Sequence, residues 1–519
     1  MAWITKSFLR DGFFSIDTRT LGFTRIAIGL MLFFDLAKRS TELTLWFTDE
    51  GLIPNAMLAE HPLRPYGESI FFYVDTVPEV RLAFVLVALI YLCFLVGLFT
   101  RVMHVLAWVC LISLHIRTDV LANGGDYVFG DLVLWTAFLP LGATFSVDAS
   151  RRKRAGKPPM ASPHVSVAVF VALFQLAIIY FFNAIHKGGV TWRDGTAVYW
   201  LAQQERIVTF AGYWMRENLP LWVFQGLTYG TLVIEFLLGF LILSPWGKPW
   251  TRRLSILGIL ALHLGIALVS NVGLFSFVMI AYSTLLISKE DWDWLRDRVA
   301  ARRGESARLV SALTLPKEGE PTAPASRWRW AAMPVLAFLV VVATSQVLIE
   351  NPSIARYVKH EQPEWIRASV MRFRLNQGWK MFAANAPRDD AWIVVDAITE
   401  DGRHVDPMNE VASRHADPSL REIPPYLGLN YFWCDYIARI KGFRMYYPGL
   451  TDWIYNYHER TGNDADRIVS FRAYQITHIP PAPGEEGPHD VKAKPFLRKR
   501  RPRLSDKPPK PAKSAPDPT

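Results

Sequence analysis

Four stretches of this chain contain no Asp, Glu, Lys or Arg: Leu82–Thr100, Val165–Ile185, Leu254–Ser288 and Trp330–Ile349. A bilayer core about 30 Å thick needs ~20 apolar helical residues to cross it. Its interior offers no water to unpaired backbone groups, so such runs cross as helices. With 51% hydrophobic and 20% charged residues, the whole chain follows the same trend. These features exclude a soluble globular enzyme, a disordered protein and a secreted disulfide scaffold. They predict an all-α polytopic membrane helical bundle with a small C-terminal α+β extramembrane domain.

Nine spans are expected, at about 20–37, 81–100, 102–119, 127–142, 164–186, 221–243, 253–270, 272–288 and 330–349. The third and fourth are crowded by His115, Arg117, Asp119, Asp126 and Asp131, which admits re-entrant or half-length segments. With the N-terminus inside, the inner segments carry 21 Lys and Arg and the outer loops eight. That asymmetry obeys the positive-inside rule and places the C-terminal domain outside.

The division is a membrane domain over 1–290, a basic cytoplasmic linker over 291–329, a last span over 330–349, an outer cap over 350–480 and a tail over 481–519. Within the cap, 392–408 reads as a hairpin turning at Asp401-Gly402. Residues 449–462 read as a helix ending at Gly462, and 466–479 alternate like a strand. From 492 onward the tail holds ten Lys or Arg, two Asp and seven Pro, the composition of a disordered segment. The net charge of +10 is concentrated there, so no nucleic-acid partner is expected. Residues 187–218 read as an amphipathic helix at the interface, with Val198, Leu201, Ile207, Phe210 and Trp214 near helical spacing.

Ionisable groups at membrane depth carry the functional information, because each costs roughly 2.5–3.5 kcal/mol at a helix centre. Arg25, Asp35, Arg101 and Glu235 read as structural intramembrane polar residues that pair with other helices. Arg25 and Arg101 are the first partners to consider for Glu235. Lys187 ends an apolar run before Gly188-Gly189. It reads either as a snorkelling anchor or, when buried and neutral, as a general base. His263 lies mid-helix and reads as a core histidine, a proton relay or a ligand. His104 and His115 share a helical face, but no facing histidine completes a haem pattern, and no metal is expected. The three cysteines form no CxxC pair.

Several stretches, in order, resemble the HTTM (horizontally transferred transmembrane) domain, the membrane part of vitamin K-dependent γ-glutamyl carboxylases and their bacterial relatives. They are "TRIAIGLMLFFDL" (24–36), "LVALIYLCFLVGLFTRV" (86–102), "IIYFFNAIHKGGVTWRDGTAVYWL" (178–201), "TYGTLVIEFLLGFLIL" (228–243) and "LHLGIALVSNVGLFSFVMIAYSTLLI" (262–287). The resemblance implies that Lys187 and His263 are catalytic. Lys187 would be the base that deprotonates a reduced membrane quinone, in a reaction that ends in carboxylation of a protein or small-molecule substrate. It also implies a multi-pass protein of a bacterial inner membrane. Two features depart from the carboxylases. Gly124-Gly125 stand where those enzymes carry a histidine, and the cap is small. Through "NQGWKMFAANAPRDDAWIVV" (376–395) the cap resembles that of stand-alone bacterial members. Two classes therefore stay open: a quinol-dependent, carboxylase-like membrane enzyme, and a non-enzymatic or transport-type protein that keeps the fold.

Overall fold

The computed structural model of the chain describes residues 6–59, 64, 67–301, 310–311, 313–315, 321–322, 327–358, 361–412, 430–485 and 490–501. In chain order the main helices of its N-terminal bundle are α1 (Thr18–Ser40), α2 (Val77–Val96), α3 (Thr100–Arg117), α4 (Gly124–Thr136), α5 (Val167–His186), α6 (Leu221–Leu241), α7 (Lys248–Val269), α8 (Phe275–Ser283) and α9 (Arg327–Glu350). A 3-10 turn, Thr284–Leu286, extends α8. Local chemistry sets the ends. Thr76 and Glu79 form a capping box ahead of α2, and Gly97 closes that helix with φ of +71°.

By length and composition, six of these are able to cross a membrane: α1, α2, α5, α6, α7 and α9. The expected third, fourth and eighth spans correspond to α3, α4 and α8. The 13 residues of α4 cover only about 20 Å. Even so, these shorter helices connect opposite ends of the bundle. Asp148 N–H donates to Gly97 O over 3.0 Å, so the start of α3 and the loop after α4 meet at one end. At the other end, Arg117 closes α3 by donating to Ile53 O over 2.7 Å. After α8, Thr20 at the start of α1 donates to Ile287 O over 2.8 Å.

Residues 187–218 do not form one amphipathic helix. They break into Val190–Arg193, Ala197–Ala202 and Phe210–Asn218. Gly195, with φ of +78°, separates the first two, and a left-handed residue cannot continue a helix.

The cap contains α10 (Tyr431–Ile440), α11 (Tyr447–Tyr455) and five strands: β1 (Asp390–Thr399), β2 (His404–Asp406), β3 (Val411–Ala412), β4 (Ile468–Ile479) and β5 (Asp490–Arg500). They form one sheet in the order β3-β2-β1-β4-β5. The hairpin over 392–408 is present, with Ala397 opposite Val405 and Gly402 at φ of +85°. The expected helix over 449–462 is α11 followed by Tyr457–Thr461, and Gly462 caps it at φ of +67°. A second expectation is corrected here. Residues 490–500, assigned to a disordered tail, pair antiparallel with β4 along its length. Leu497 is buried in this strand while its Lys and Arg face solvent. A lysine-rich edge strand is common, because charge there blocks further pairing. Residues 502–519 lie outside the described residues.

Candidate functional site

Lys187 caps the C-terminus of α5. On one face of that helix, Tyr180, Asn183 and Lys187 follow at i, i+3 and i+7. Lys187 is 7% exposed, and its Nζ donates to both oxygens of Glu235 on α6 over 2.6 Å. Asn183 Nδ2 adds a 3.3 Å bond to Glu235 Oε1. The ammonium also lies 4.6 Å from the ring centroid of Trp192, whose quadrupole favours a cation. Glu235 is thus held from another helix, as expected of a carboxylate at that depth. Its partner is Lys187, not Arg25 or Arg101.

A strap from the cap covers this pair. Met381 N–H donates to Asn183 Oδ1 over 2.8 Å, and Trp192 Nε1 donates to Phe382 O over 2.8 Å. Gly189 N–H donates to Ala384 O over 2.9 Å. His186 lies 3.0 Å from Trp379 O and 3.1 Å from Ser353 Oγ. Glycine is required at 189, since a Cβ there would meet Asn385 Oδ1 at 2.2 Å. The strap is the "NQGWKMFAANAP" part of the motif noted in the sequence.

Toward the lipid side, Lys187 borders an apolar groove of about 380 Å³ walled by Ala184, Ile185, Leu232, Val233, Phe236 and Leu237. Phe236 and Leu237 are about half exposed on α6. The site therefore has a charged pair behind it, a polar strap over it and an apolar opening beside it.

His263 is buried on α7, 2.9 Å from the Tyr180 hydroxyl. Its other nitrogen, Nδ1, has no hydrogen-bond partner among the described residues. It joins the Lys187 region through α5, by way of Tyr180, and not by direct contact.

The remaining polar residues stand elsewhere. Arg25 makes no ion pair with Asp35. Its guanidinium donates to four backbone carbonyls, Leu95 and Leu141 and Thr144 at 3.2 Å and Phe145 at 2.6 Å. Arg25 thus ties α1 to the end of α2 and the loop after α4. Asp35 pairs within its own helix, with Arg39 one turn on at 2.9 Å, against the expectation of a partner on another helix. Arg39 then reaches Asp126 on α4 at 2.9 Å and Thr118 at 3.0 Å. Ligand atoms of Asp35, His115 and Asp126 lie within 4.8 Å of one another, but the Arg39 guanidinium engages both carboxylates. Arg101 is exposed at the start of α3.

The sequence reading noted Asp126 only as crowding the third and fourth spans and passed over Arg39, Asn183 and Tyr180. Helical spacing holds the signal for these three. Arg39 follows Asp35 by four residues, and Tyr180 and Asn183 precede Lys187 by seven and four.

A family model described as the HTTM domain matches residues 13–292, more than half of the chain. The uncharacterized protein YitO of Bacillus subtilis (strain 168) is 26% identical over 196 residues, which are 37% of this chain. The match spans 61% of that protein's length, less than two thirds. No solved structure matches.

Proposed function

This chain belongs to the HTTM domain family, and we propose that it is a membrane enzyme whose Lys187–Glu235 pair takes a proton from a quinol-type substrate entering from the lipid. The observation that carries this reading is the burial of the pair beside a groove that opens on the apolar surface. On this reading the proton shared by the pair resides on Glu235 when substrate binds, and the amine of Lys187 is the base. That amine accepts the substrate's hydroxyl proton: the O–H bond breaks, an N–H bond forms at Nζ, and the resulting anion is held by the ammonium. Met381 N–H fixes the Asn183 carboxamide, whose Nδ2 donates to Glu235, and the strap keeps bulk water from the amine. The reduced quinone would supply the reducing equivalents for the later chemistry.

A direct test is quinol consumption by the purified protein. Lys187→Arg keeps a cation but cannot become neutral at accessible pH, so it should remain folded and lose activity. Full activity in this variant would leave Lys187 as an anchor only.

A second reading, retention of the fold without carboxylation, is favoured by the first turn of α4. A Cβ at Gly125 would lie 2.9 Å from Phe275 Cα, and one at Gly124 would lie 2.8 Å from Met381 Sδ. The position of the carboxylase histidine is thus packed shut. A purified protein that neither consumes quinol nor incorporates labelled carbon dioxide would favour this reading, a non-enzymatic or transport-type protein.

We further propose that α3, α4 and α8 complete nine crossings in a bacterial inner membrane, with the cap and Lys187 at the outer side. The end-to-end tethers at Gly97–Asp148, Arg117–Ile53 and Thr20–Ile287 support this path. A cysteine at the exposed Asp401 should react with impermeant reagent in intact cells, and one at Lys153 only after lysis. The reverse pattern would invert the orientation.

A further inference from the structure

A second groove, of about 450 Å³, lies at the end of α7 that faces the cap. Its walls include Val208, Phe210, Ala267, Asn271, Ser276 and Phe277. The volume is within the ~300–1,000 Å³ usual for ligand sites.

Ser276 is the residue that asks for a ligand. It is 1% exposed, it lines the groove, and its Oγ has no hydrogen-bond partner among the described residues. A buried hydroxyl left unpaired costs about 1–3 kcal/mol, so such groups normally have a partner. The neighbouring polar groups are already engaged. Thr209 donates to Leu268 O, Ser270 donates to Ile266 O over 3.1 Å, and Asn271 Oδ1 accepts from Gly273 N.

The lining also constrains the ligand's chemistry. None of the residues that line the groove is ionisable, so nothing in it selects a phosphate or an ammonium. Phe210 is 86% exposed, Phe277 is 41%, and Leu264 and Leu268 lie open on α7. On a membrane protein such an apolar surface is covered by lipid. Depth narrows the choice further. The 22 residues of α7 cover about 33 Å, close to the hydrocarbon thickness. A groove at the helix end is therefore level with the glycerol and ester groups of a lipid, not with its chain ends.

We propose that this groove binds the ester region of an acyl glycerolipid, with the Ser276 hydroxyl donating to an ester carbonyl and the acyl chain lying along Phe277 and Ala267. The contact lies next to the cap, because Gly273 packs against the ring of Tyr431 on α10.

The test uses the full chain in detergent, offered dioleoylglycerol or its dialkyl ether analogue, which lacks the carbonyls. Retained lipid is read by native mass spectrometry. The ester lipid should be retained about three- to tenfold better than the ether, the worth of one hydrogen bond. Ser276→Ala should bring that ratio close to one at an unchanged melting temperature. Ala267→Phe, which fills the groove, should lower retention of both lipids. Equal retention of ester and ether by the unmodified protein would overturn the proposal. So would a preference that survives Ser276→Ala, or retention indifferent to Ala267→Phe.

Discussion

Lys187 and Glu235 lie 48 positions apart and meet with both carboxylate oxygens 2.6 Å from Nζ, each side chain 4% exposed. Breaking a buried pair from one side leaves an uncompensated charge, at a cost of about 3–5 kcal/mol. Glu235→Gln should therefore melt well below the unmodified protein in detergent. Lys187→Met combined with Glu235→Leu should recover most of that loss, because apolar residues of similar size suit the site. If the double variant is stable yet inactive, the pair is kept for chemistry. A double variant no more stable than Glu235→Gln would mean that the surrounding shell needs the charges.

Arg39 bridges Asp35 and Asp126 across α1 and α4. Arg39→Met should destabilise the bundle by about 3–5 kcal/mol, since two buried carboxylates lose their cation. Adding Asp35→Asn and Asp126→Asn should restore a large part of it. Thermal melts of the single and triple variants measure the difference.

Cap docking should depend on pH through Asp435. Burial pushes its carboxyl up to about 6, against the pull of Arg439 and the hydrogen bond from Asn123. The folded state thus favours the protonated acid. This contribution is fully present below the ordinary value of 3.8 and is lost as pH rises through about 6. The shift corresponds to about 3 kcal/mol. Asp435→Asn should remove this part of the slope, so the gap between variant and unmodified protein widens from pH 4 to pH 7. A constant gap would contradict the assignment.

Gly125 and Gly124 should respond differently to a methyl group. At Gly125 the added carbon meets the Phe275 backbone, which cannot yield, so Gly125→Ala should cost about 1–3 kcal/mol. At Gly124 it meets the Met381 thioether, which can rotate away, and the cost should be smaller. Comparing the two melting temperatures tests whether the first turn of α4 is sealed by main chain or by side chain.

Much of the architecture was legible because hydropathy and turn chemistry are local. Charge-free runs marked α2, α5, α7 and α9, and Asp401-Gly402 marked the cap hairpin. Where pairing or breakage depends on distant chain, the local signal misled. The periodic residues over 187–218 suggested one helix, but Gly195 and contacts with the strap divide it. Lysines over 490–500 suggested disorder, yet β4 offered an open edge that they pair with.

For the site the same division holds. Hydropathy along the chain is enough to say that Lys187 ends an apolar helix and that Glu235 is an acid needing a partner, since both follow from the cost of charge in hydrocarbon. That each answers the other comes from the packing of the helices. Which face of α5 meets which face of α6 is set by packing across the bundle, a relation with no period along the chain. That packing also placed the cap strap over the pair and assigned Arg25 to carbonyls, because a buried guanidinium needs acceptors and those acceptors come from two distant segments, the end of α2 and the loop after α4.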